Sequence, residues 1–367
     1  MARLASGVRK RKDGTLEKRF TIDGKRYSVY AATQKELAEK EQETREQIKQ
    51  GTYTKNANIT LDKYFIEWKA HKANTIKANT MIMYSNYYNK HISKALGKRK
   101  IKDIERREVI KLQNNLLNEL APATVNAIIK TLRIILNDAI KDEITTRNAA
   151  RIKPVKEEQK ATETYHRALT IQEQNDFMQA LKDSYYYSFI ALMLLTGIRA
   201  GEAAALTWQD IDTKKNVIHI TKTTTKDDNG KLTIGTSAKT EAGTRDIPIN
   251  KNIRDILHDH KNKTAVLPFI TNNVFVSAYG NIIDNGTINR AIKNTLEKME
   301  RNGEHIEHFT SHAMRDTFAT RYIEQGGSMQ TLKTLLGHSS IKMTMDLYAH
   351  VLPDTKQEEM NRIIINI

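Results

Sequence analysis

The strongest constraint on the fold is a polar break between Asn148 and Arg167, which contains Pro154 and the run Lys156-Glu157-Glu158-Gln159-Lys160. A stretch this polar cannot belong to a core, so it reads as a linker spanning residues 151–166. The material on either side must then bury apolar surface separately. A chain of 367 residues is in any case long enough for roughly two or three units with sizeable cores.

The break also separates two electrostatic halves. Residues 1–30 hold nine Lys/Arg against three Asp/Glu, 31–58 five against five, 59–160 twenty-one against eleven, and 161–367 twenty-four against twenty-four. The whole formal excess of +16 therefore sits in the first 160 residues. This is the pattern of a polyanion-binding half joined to a neutral half with another task. Nucleic acid is favoured over a membrane surface, because no strongly apolar helix face accompanies the basic residues. No apolar run approaches the roughly 20 residues that cross a bilayer, and Arg3, Arg9, Lys10, Arg11 and Lys12 are not followed by a signal-like apolar segment. The absence of cysteine excludes disulfides, thiolate zinc sites and cysteine nucleophiles, and is compatible with a reducing cytoplasm. Fully extended, the thirteen steps from Ile152 to Tyr165 reach about 45 Å, enough for two tethered domains to embrace a DNA duplex.

Within the basic half, LEKRFTI and KRYSVYA alternate around Asp23-Gly24, a dipeptide suited to a type I′ turn. A small three-stranded sheet is expected, closed by a solvated helix over Thr33–Lys49 that Gly51 ends, giving a first domain at 1–58. From Thr60 to about Ile144 the pattern is helical, with Leu61, Tyr64, Phe65 and Trp68 in register. After Pro122, Val125, Ile128, Ile129, Leu132, Leu136, Ala139 and Ile140 form one apolar stripe, and Lys130, Arg133 and Lys141 lie off it. An all-α bundle with a basic wet face is expected over 59–150. Candidate DNA contacts are Arg9, Lys10, Arg11, Lys18 and Arg19 in the sheet, and Lys77, Lys130 and Arg133 in the bundle. Tyr84, Tyr87 and Tyr88 read as core or helix-surface residues.

The neutral half is mixed and mainly helical, over 167–367. Phe189–Leu195 is a buried-helix run ended by Gly197, which suits a left-handed cap. NVIHITKT and KLTIGT flank Asp227-Asp228-Asn229-Gly230 as a hairpin, TRDIPI supplies a further strand of a small antiparallel sheet, and helices resume from about Thr287 to Leu335-Leu336.

Five local patterns carry chemistry. Thr196-Gly197-Ile198-Arg199-Ala200-Gly201-Glu202 places an arginine between two glycines after an apolar helix. Taken alone, Arg199 and Glu202 would be an ordinary i, i+3 ion pair. Lys239 sits in the loop Ala238-Lys239-Thr240-Glu241-Ala242-Gly243, where a lone lysine is usually just solvated. His312-Ala313-Met314-Arg315 opens a helix with both ionisable side chains on one face. Leu335-Leu336-Gly337-His338 puts a histidine just past a glycine-marked helix end, and Tyr348 follows in Met345-Asp346-Leu347-Tyr348-Ala349-His350. Singly, each histidine is more often structural than catalytic, and a tyrosine is more often packed.

In order, Arg199, Lys239, His312, Arg315, His338 and Tyr348 resemble the active-site set of the tyrosine recombinases. TGIRAGE, AKTEAGTRDIP, SHAMRDTFAT, LLGHSS and TMDLYAHV are similar to that family's boxes. The resemblance covers essentially the whole chain. It extends to integrases of conjugative transposons and temperate phages of Gram-positive bacteria, and implies an arm-binding sheet domain (1–58), a SAM-like core-site bundle (59–150) and a catalytic domain (167–367). Two departures stand out. Asp316 follows Arg315 where many relatives have histidine, and Asn148-Ala149 stands where Asn-Pro is common. Neither removes a catalytic group.

The resemblance implies site-specific cutting and rejoining of double-stranded DNA attachment sites through a 3′-phosphotyrosyl ester on Tyr348. A homo-tetramer on DNA, an accessory excisionase-type directionality factor and a bacterial cytoplasmic setting go with it. The residue types suit the reaction. Tyrosine oxygen stores the phosphodiester energy, so no ATP is needed. Its pKa of about 10 calls for a base, implied to be His312. Arg199 and Arg315 clamp the nonbridging oxygens with His338 as a further donor, and Lys239 protonates the leaving 5′ oxygen. Glu202 supports Arg199. No metal or other cofactor is expected, since no acidic cluster resembles a two-metal site. The apolar tail from Met360 to Ile367 is either a final strand on its own domain or a segment exchanged between protomers. Three other readings remain open: a catalytically silent DNA-binding regulator, which has no need of Tyr348; a type IB-like topoisomerase, which would relax a single plasmid without joining partner sites; and a metal-dependent nuclease, which would fail in chelator.

Overall fold

The computed structural model describes residues 5–50, 53–54, 58–156, 167–227, 230–236, 243–265, 272–338, 340–341 and 345. By its internal contacts it divides into two units, Met1–Glu158 and Gln159–Ile367.

In the first unit, strands β1 (Val8–Lys10), β2 (Leu16–Ile22) and β3 (Lys25–Ala31) form an antiparallel sheet in that order. Ile22 pairs directly with Lys25 across a two-residue turn. Asp23 (φ 48°) and Gly24 (φ 77°) are both left-handed, the combination a type I′ turn requires. Helix α1 (Gln34–Lys49) starts where the Thr33 hydroxyl accepts from the Glu36 amide at 3.3 Å. Leu37 of α1 shares a small core with Leu16, Phe20, Val29 and Ala31. Gly51 lies outside the described residues.

The rest of this unit is helical: α2 (Leu61–Lys72), α3 (Ala78–Tyr87) continued by wider π-type turns over Tyr88–Gly97, α4 (Arg106–Leu117) and α5 (Pro122–Lys141). Pro122 is accommodated in the first turn of α5, where a missing N–H costs no hydrogen bond. Leu61, Tyr64, Phe65 and Trp68 are buried together with Tyr88, Val125, Ile128, Leu132 and Ala139. The sequence places a linker from 151, but the segment up to Val155 is strapped to the bundle. Arg133 Nε and Nη2 donate to the carbonyls of Ala150 (3.0 Å) and Ile152 (2.8 Å), Gln113 Nε2 donates to Lys153 (3.2 Å), and Asn126 exchanges two hydrogen bonds with Val155. These backbone partners come from helix residues far away in sequence, and polarity alone does not reveal them. Residues 157–166 lie outside the described residues.

The second unit begins with α6 (Ile171–Ala180), α7 (Tyr187–Thr196) and α8 (Ala200–Ala204). Next come β4 (Ile211–Asp212), β5 (Val217–Ile220), β6 (Lys222–Lys226), β7 (Leu232–Thr236) and β8 (Arg245–Pro248), followed by α9 (Lys251–Thr264), α10 (Asn285–Arg301), α11 (His312–Glu324) and α12 (Met329–Leu336). The fold is mainly helical, with one three-stranded antiparallel sheet, β4-β5-β8, and a separate β6-β7 ribbon. NVIHITKT, read as one strand, breaks at Thr221. Ile218 and Ile220 enter the core, whereas the KTTTK that follows has no apolar face and pairs only with β7. Helix α9 was not anticipated, because a charged stretch there hides the sparse stripe Ile253, Leu257 and His260. Among the described residues no helix is long and apolar enough to cross a membrane.

Candidate active site

Helix α7 is apolar on every side: Phe189, Ile190, Leu192 and Met193 are all buried, so the helix runs through the centre of its core. It ends at Gly197, whose φ of 66° is left-handed. That reversal carries the chain directly into Ile198, which is buried, and Arg199, which caps α8. Arg199 Nη1 donates to Glu202 Oε1 at 2.9 Å, and its backbone N–H donates to Glu202 Oε2 at 3.0 Å. The expected i, i+3 pair is therefore present, but it is not isolated. From the opposite side the buried guanidinium of Arg245 donates to the same two oxygens, at 3.2 and 2.8 Å. Burial pushes the Glu202 carboxyl up, and Arg245 and then Arg199 outweigh it, holding the group below the ordinary glutamate range.

Arg315 lies on α11, one turn after His312, and is only 2 % exposed. Its Nη1 donates to the carbonyl of Gly197 and its Nη2 to that of Leu336, both at 2.6 Å. One guanidinium thus satisfies end carbonyls of two helices, α7 and α12, that would otherwise lack partners. A guanidinium carries five N–H donors, and Arg315 also lines the cleft described below. Burial, then the neighbouring Arg199, lowers its pKa to about 9, so it remains charged at neutral pH.

Gly337 also takes a left-handed conformation, φ 65°, and ends α12 so that His338 turns inward and is buried. Burial first, then Arg315, Arg199, Arg245 and His312, depress the His338 pKa to about 4. Arg315 holds the carbonyl of Leu336 and Arg245 that of Leu335, two and three residues before it, so the imidazole follows directly on the part of the chain that both arginines hold, and with its lowered pKa the ring is neutral at pH 7. His312 opens α11 with its side chain about half exposed, its Nε2 3.9 Å from Asp316 Oδ1. Arg199, Ala200, Gly201, His312 and Arg315 line a cleft of about 230 Å³. Gly201 matters to this packing: a Cβ there would come within 2.8 Å of Thr223 Oγ1 and 2.9 Å of Thr224 Oγ1 on β6.

The structure therefore gathers Arg199, Glu202, His312, Arg315 and His338. Lys239, Tyr348 and the tail from Met360 to Ile367 lie outside the described residues. Sequence reasoning missed Arg245. In β8 the alternation puts Arg245 on the same inward face as Ile247, so an arginine in a core-facing register was the available sign that it had an ionic partner.

The basic residues of the first unit differ in how free they are. Arg9, Lys10, Arg11, Lys77 and Lys130 are exposed. Lys18 pairs with Glu41 at 2.5 Å and Arg19 with Glu17 at 2.7 Å. Arg133 is only partly exposed and holds the backbone of Ala150 and Ile152, which corrects the expectation that it stands free on a wet face.

Two planar guanidinium groups, Arg199 and Arg315, thus line one cleft with the His312 imidazole, an arrangement whose charge and donors suit an anion. Comparison with known proteins agrees. The phage integrase family profile matches residues 167–354, and that of the phage integrase N-terminal SAM-like domain matches residues 60–117. A tyrosine recombinase XerC-like protein of Caldanaerobacter subterraneus is 26% identical, over 93% of this chain and 92% of that protein. The ICEBs1 integrase of Bacillus subtilis is 27% identical, over 90% and 89%. Among solved structures, the Tn1549 transposon integrase in complex with a circular intermediate DNA superposes with a TM-score of 0.71 at 23% identity, covering 84% of this chain and all of that one.

Proposed function

The chain belongs to the phage integrase family and is a tyrosine recombinase; from that premise we propose that it cuts and rejoins specific DNA sites through a 3′-phosphotyrosyl ester on Tyr348. The observation that carries this reading is the convergence of Arg199, His312 and Arg315 on one cleft, with His338 inside the same field of cations.

In the proposed cycle the Tyr348 oxygen attacks the scissile phosphorus as His312 takes the phenolic proton. The bond from phosphorus to the 5′ oxygen breaks, and Lys239 protonates the leaving oxygen. Arg199 and Arg315 face the nonbridging oxygens, where negative charge grows, and the neutral His338 ring donates one hydrogen bond. Attack by a 5′ hydroxyl from a second duplex reverses the step and joins a new partner, releasing Tyr348. The ester conserves the phosphodiester energy, so the cycle needs no nucleotide hydrolysis.

Joining two duplexes requires four strand cuts, and each uses one tyrosine. We therefore propose a homo-tetramer on paired DNA sites. Residues 1–58 would contact arm-type sites and 59–150 the core site, through Arg9, Lys10, Arg11, Lys77 and Lys130, while the catalytic domain 167–367 would take the scissile phosphate. The mobile elements named for two of the relatives support integration and excision of such an element by this chain, in the bacterial cytoplasm. An excisionase-type factor would bias the direction.

The test is incubation with nicked duplexes bearing candidate attachment sites, comparing the parent with Tyr348→Phe on denaturing gels. A covalent protein–DNA adduct in the parent alone is expected. Equal adducts in both would assign the nucleophile to another residue.

A further inference from the structure

Glu202 is bound by four donors, two from each side. Its Oε1 accepts from Arg199 Nη1 (2.9 Å) and Arg245 Nη1 (3.2 Å). Its Oε2 accepts from the Arg199 backbone N–H (3.0 Å) and Arg245 Nη2 (2.8 Å). An Arg199–Glu202 pair by itself sums to zero charge and would offer a phosphate little attraction. With Arg245 behind it the trio carries one uncompensated positive charge. The Arg245 side chain is 2% exposed and that of Arg199 40%, so the surplus charge faces the cleft on Arg199.

The same guanidinium reaches further. Arg245 Nε donates to the carbonyl of Leu335 at 2.5 Å, and its Nη1 also approaches that of Gly243 at 3.3 Å. Arg315 holds the next carbonyl of α12, Leu336. Two buried arginines thus grip consecutive carbonyls just before His338. Burying an ion pair commonly gives no more stability than apolar residues of equal volume, so stability alone is a weak reason for an arginine at this point in the core.

We infer that Arg245 is a positioning residue for strand cleavage: it holds Glu202, and through it Arg199, with the positive charge turned toward the cleft, and it fixes the end of α12 that presents His338. This inference rests on the recombinase reading above. Arg245 does not itself meet the DNA; it acts through Arg199 and His338.

The test uses full-length Arg245→Lys. Lysine keeps the charge, but its single nitrogen cannot span both carboxylate oxygens and the Leu335 carbonyl. Adduct formation on a nicked site is timed at saturating protein, and affinity for the same duplex is measured separately. Cleavage should slow by about tenfold or more, since a group that only orients reacting partners can be worth that much, while affinity stays within about twofold of the parent. In an Arg199→Lys background the Arg245→Lys change should slow cleavage by a clearly smaller factor than in the parent, because one of the two groups it positions is already lost. A residue that serves folding alone would lower affinity and melting temperature together, or would slow the Arg199→Lys protein by the same factor as the parent. Either result overturns the inference.

Glu202→Asp, which withdraws the carboxylate by one methylene, should give the same pattern from the other side of the contact, and it decides the question if Arg245→Lys does not fold. A parent that forms no adduct refutes the recombinase reading itself. A parent that reacts, alongside Arg245→Lys at the parental rate, refutes only the role of Arg245.

Discussion

Arg315 donates its Nη1–H to the carbonyl of Gly197 at 2.6 Å, so the residue that ends α7 is also a fixed support for the buried guanidinium of the cleft. The left-handed backbone at Gly197 is what turns that carbonyl toward α11. Position 197 therefore links backbone conformation to the chemistry of the site.

The first prediction follows from that link. Gly197→Ala places a Cβ at φ 66°, within 2.5 Å of Phe318 Cδ1 and 2.7 Å of Leu336 Cδ2. The left-handed conformation costs roughly 1–2 kcal/mol for an L side chain, and overpacking adds roughly 1–3 kcal/mol. A lower denaturant midpoint and slower adduct formation are expected together. An unchanged midpoint would show that the surroundings yield freely.

Stability should also depend on pH through His338. Its folded pKa of about 4 lies below its ordinary value of 6.5, so between those values the unfolded chain binds a proton that the folded one refuses. The contribution is fully present above about pH 6.5 and is lost as pH falls toward about 4, by at most about 1.4 kcal/mol per pH unit. Burial comes first, and Arg315, Arg199, Arg245 and His312 all further disfavour charge on the ring. His260 is buried and shifted the same way, so the comparison is parent against His338→Gln. The variant should show a shallower loss of stability across this window. Identical slopes would mean that His338 titrates normally in the folded protein.

A third prediction separates structural from DNA-facing cations in the bundle. Arg133→Ala removes two hydrogen bonds to the carbonyls of Ala150 and Ile152 and should cost roughly 1–3 kcal/mol of stability, with the salt dependence of DNA binding unchanged. Lys130 is exposed, and Lys130→Gln should instead leave stability alone and reduce the slope of log K against log salt by about 0.9 if it contacts a phosphate. Thermal unfolding and binding titrations at several salt concentrations check both. A reversal of the two behaviours would invert the assignment.

Much of the site was legible before the structure. Gly197 and Gly337 announce helix ends, and Arg199 and His338 follow them within two residues, so their placement depends on backbone preferences that a few neighbours determine. The i, i+3 spacing of His312 and Arg315 depends only on helix geometry. Arg245 and Arg133 were not legible in the same way. Each finds its partners, Glu202 and Leu335 in one case and Ala150 and Ile152 in the other, across loops or packed helices. The break of NVIHITKT at Thr221 was missed because a β-rich run does not say which sheet its two halves join.

The sequence by itself determined where this chain turns, where its helices stop, which faces are apolar and which residue types are available for phosphoryl transfer. All of these depend on a few consecutive residues or on a simple period. Only the tertiary structure decided which cations are spent internally and which face the cleft. An arginine has five donors, and whether a distant carbonyl or carboxylate occupies them depends on how helices and strands pack.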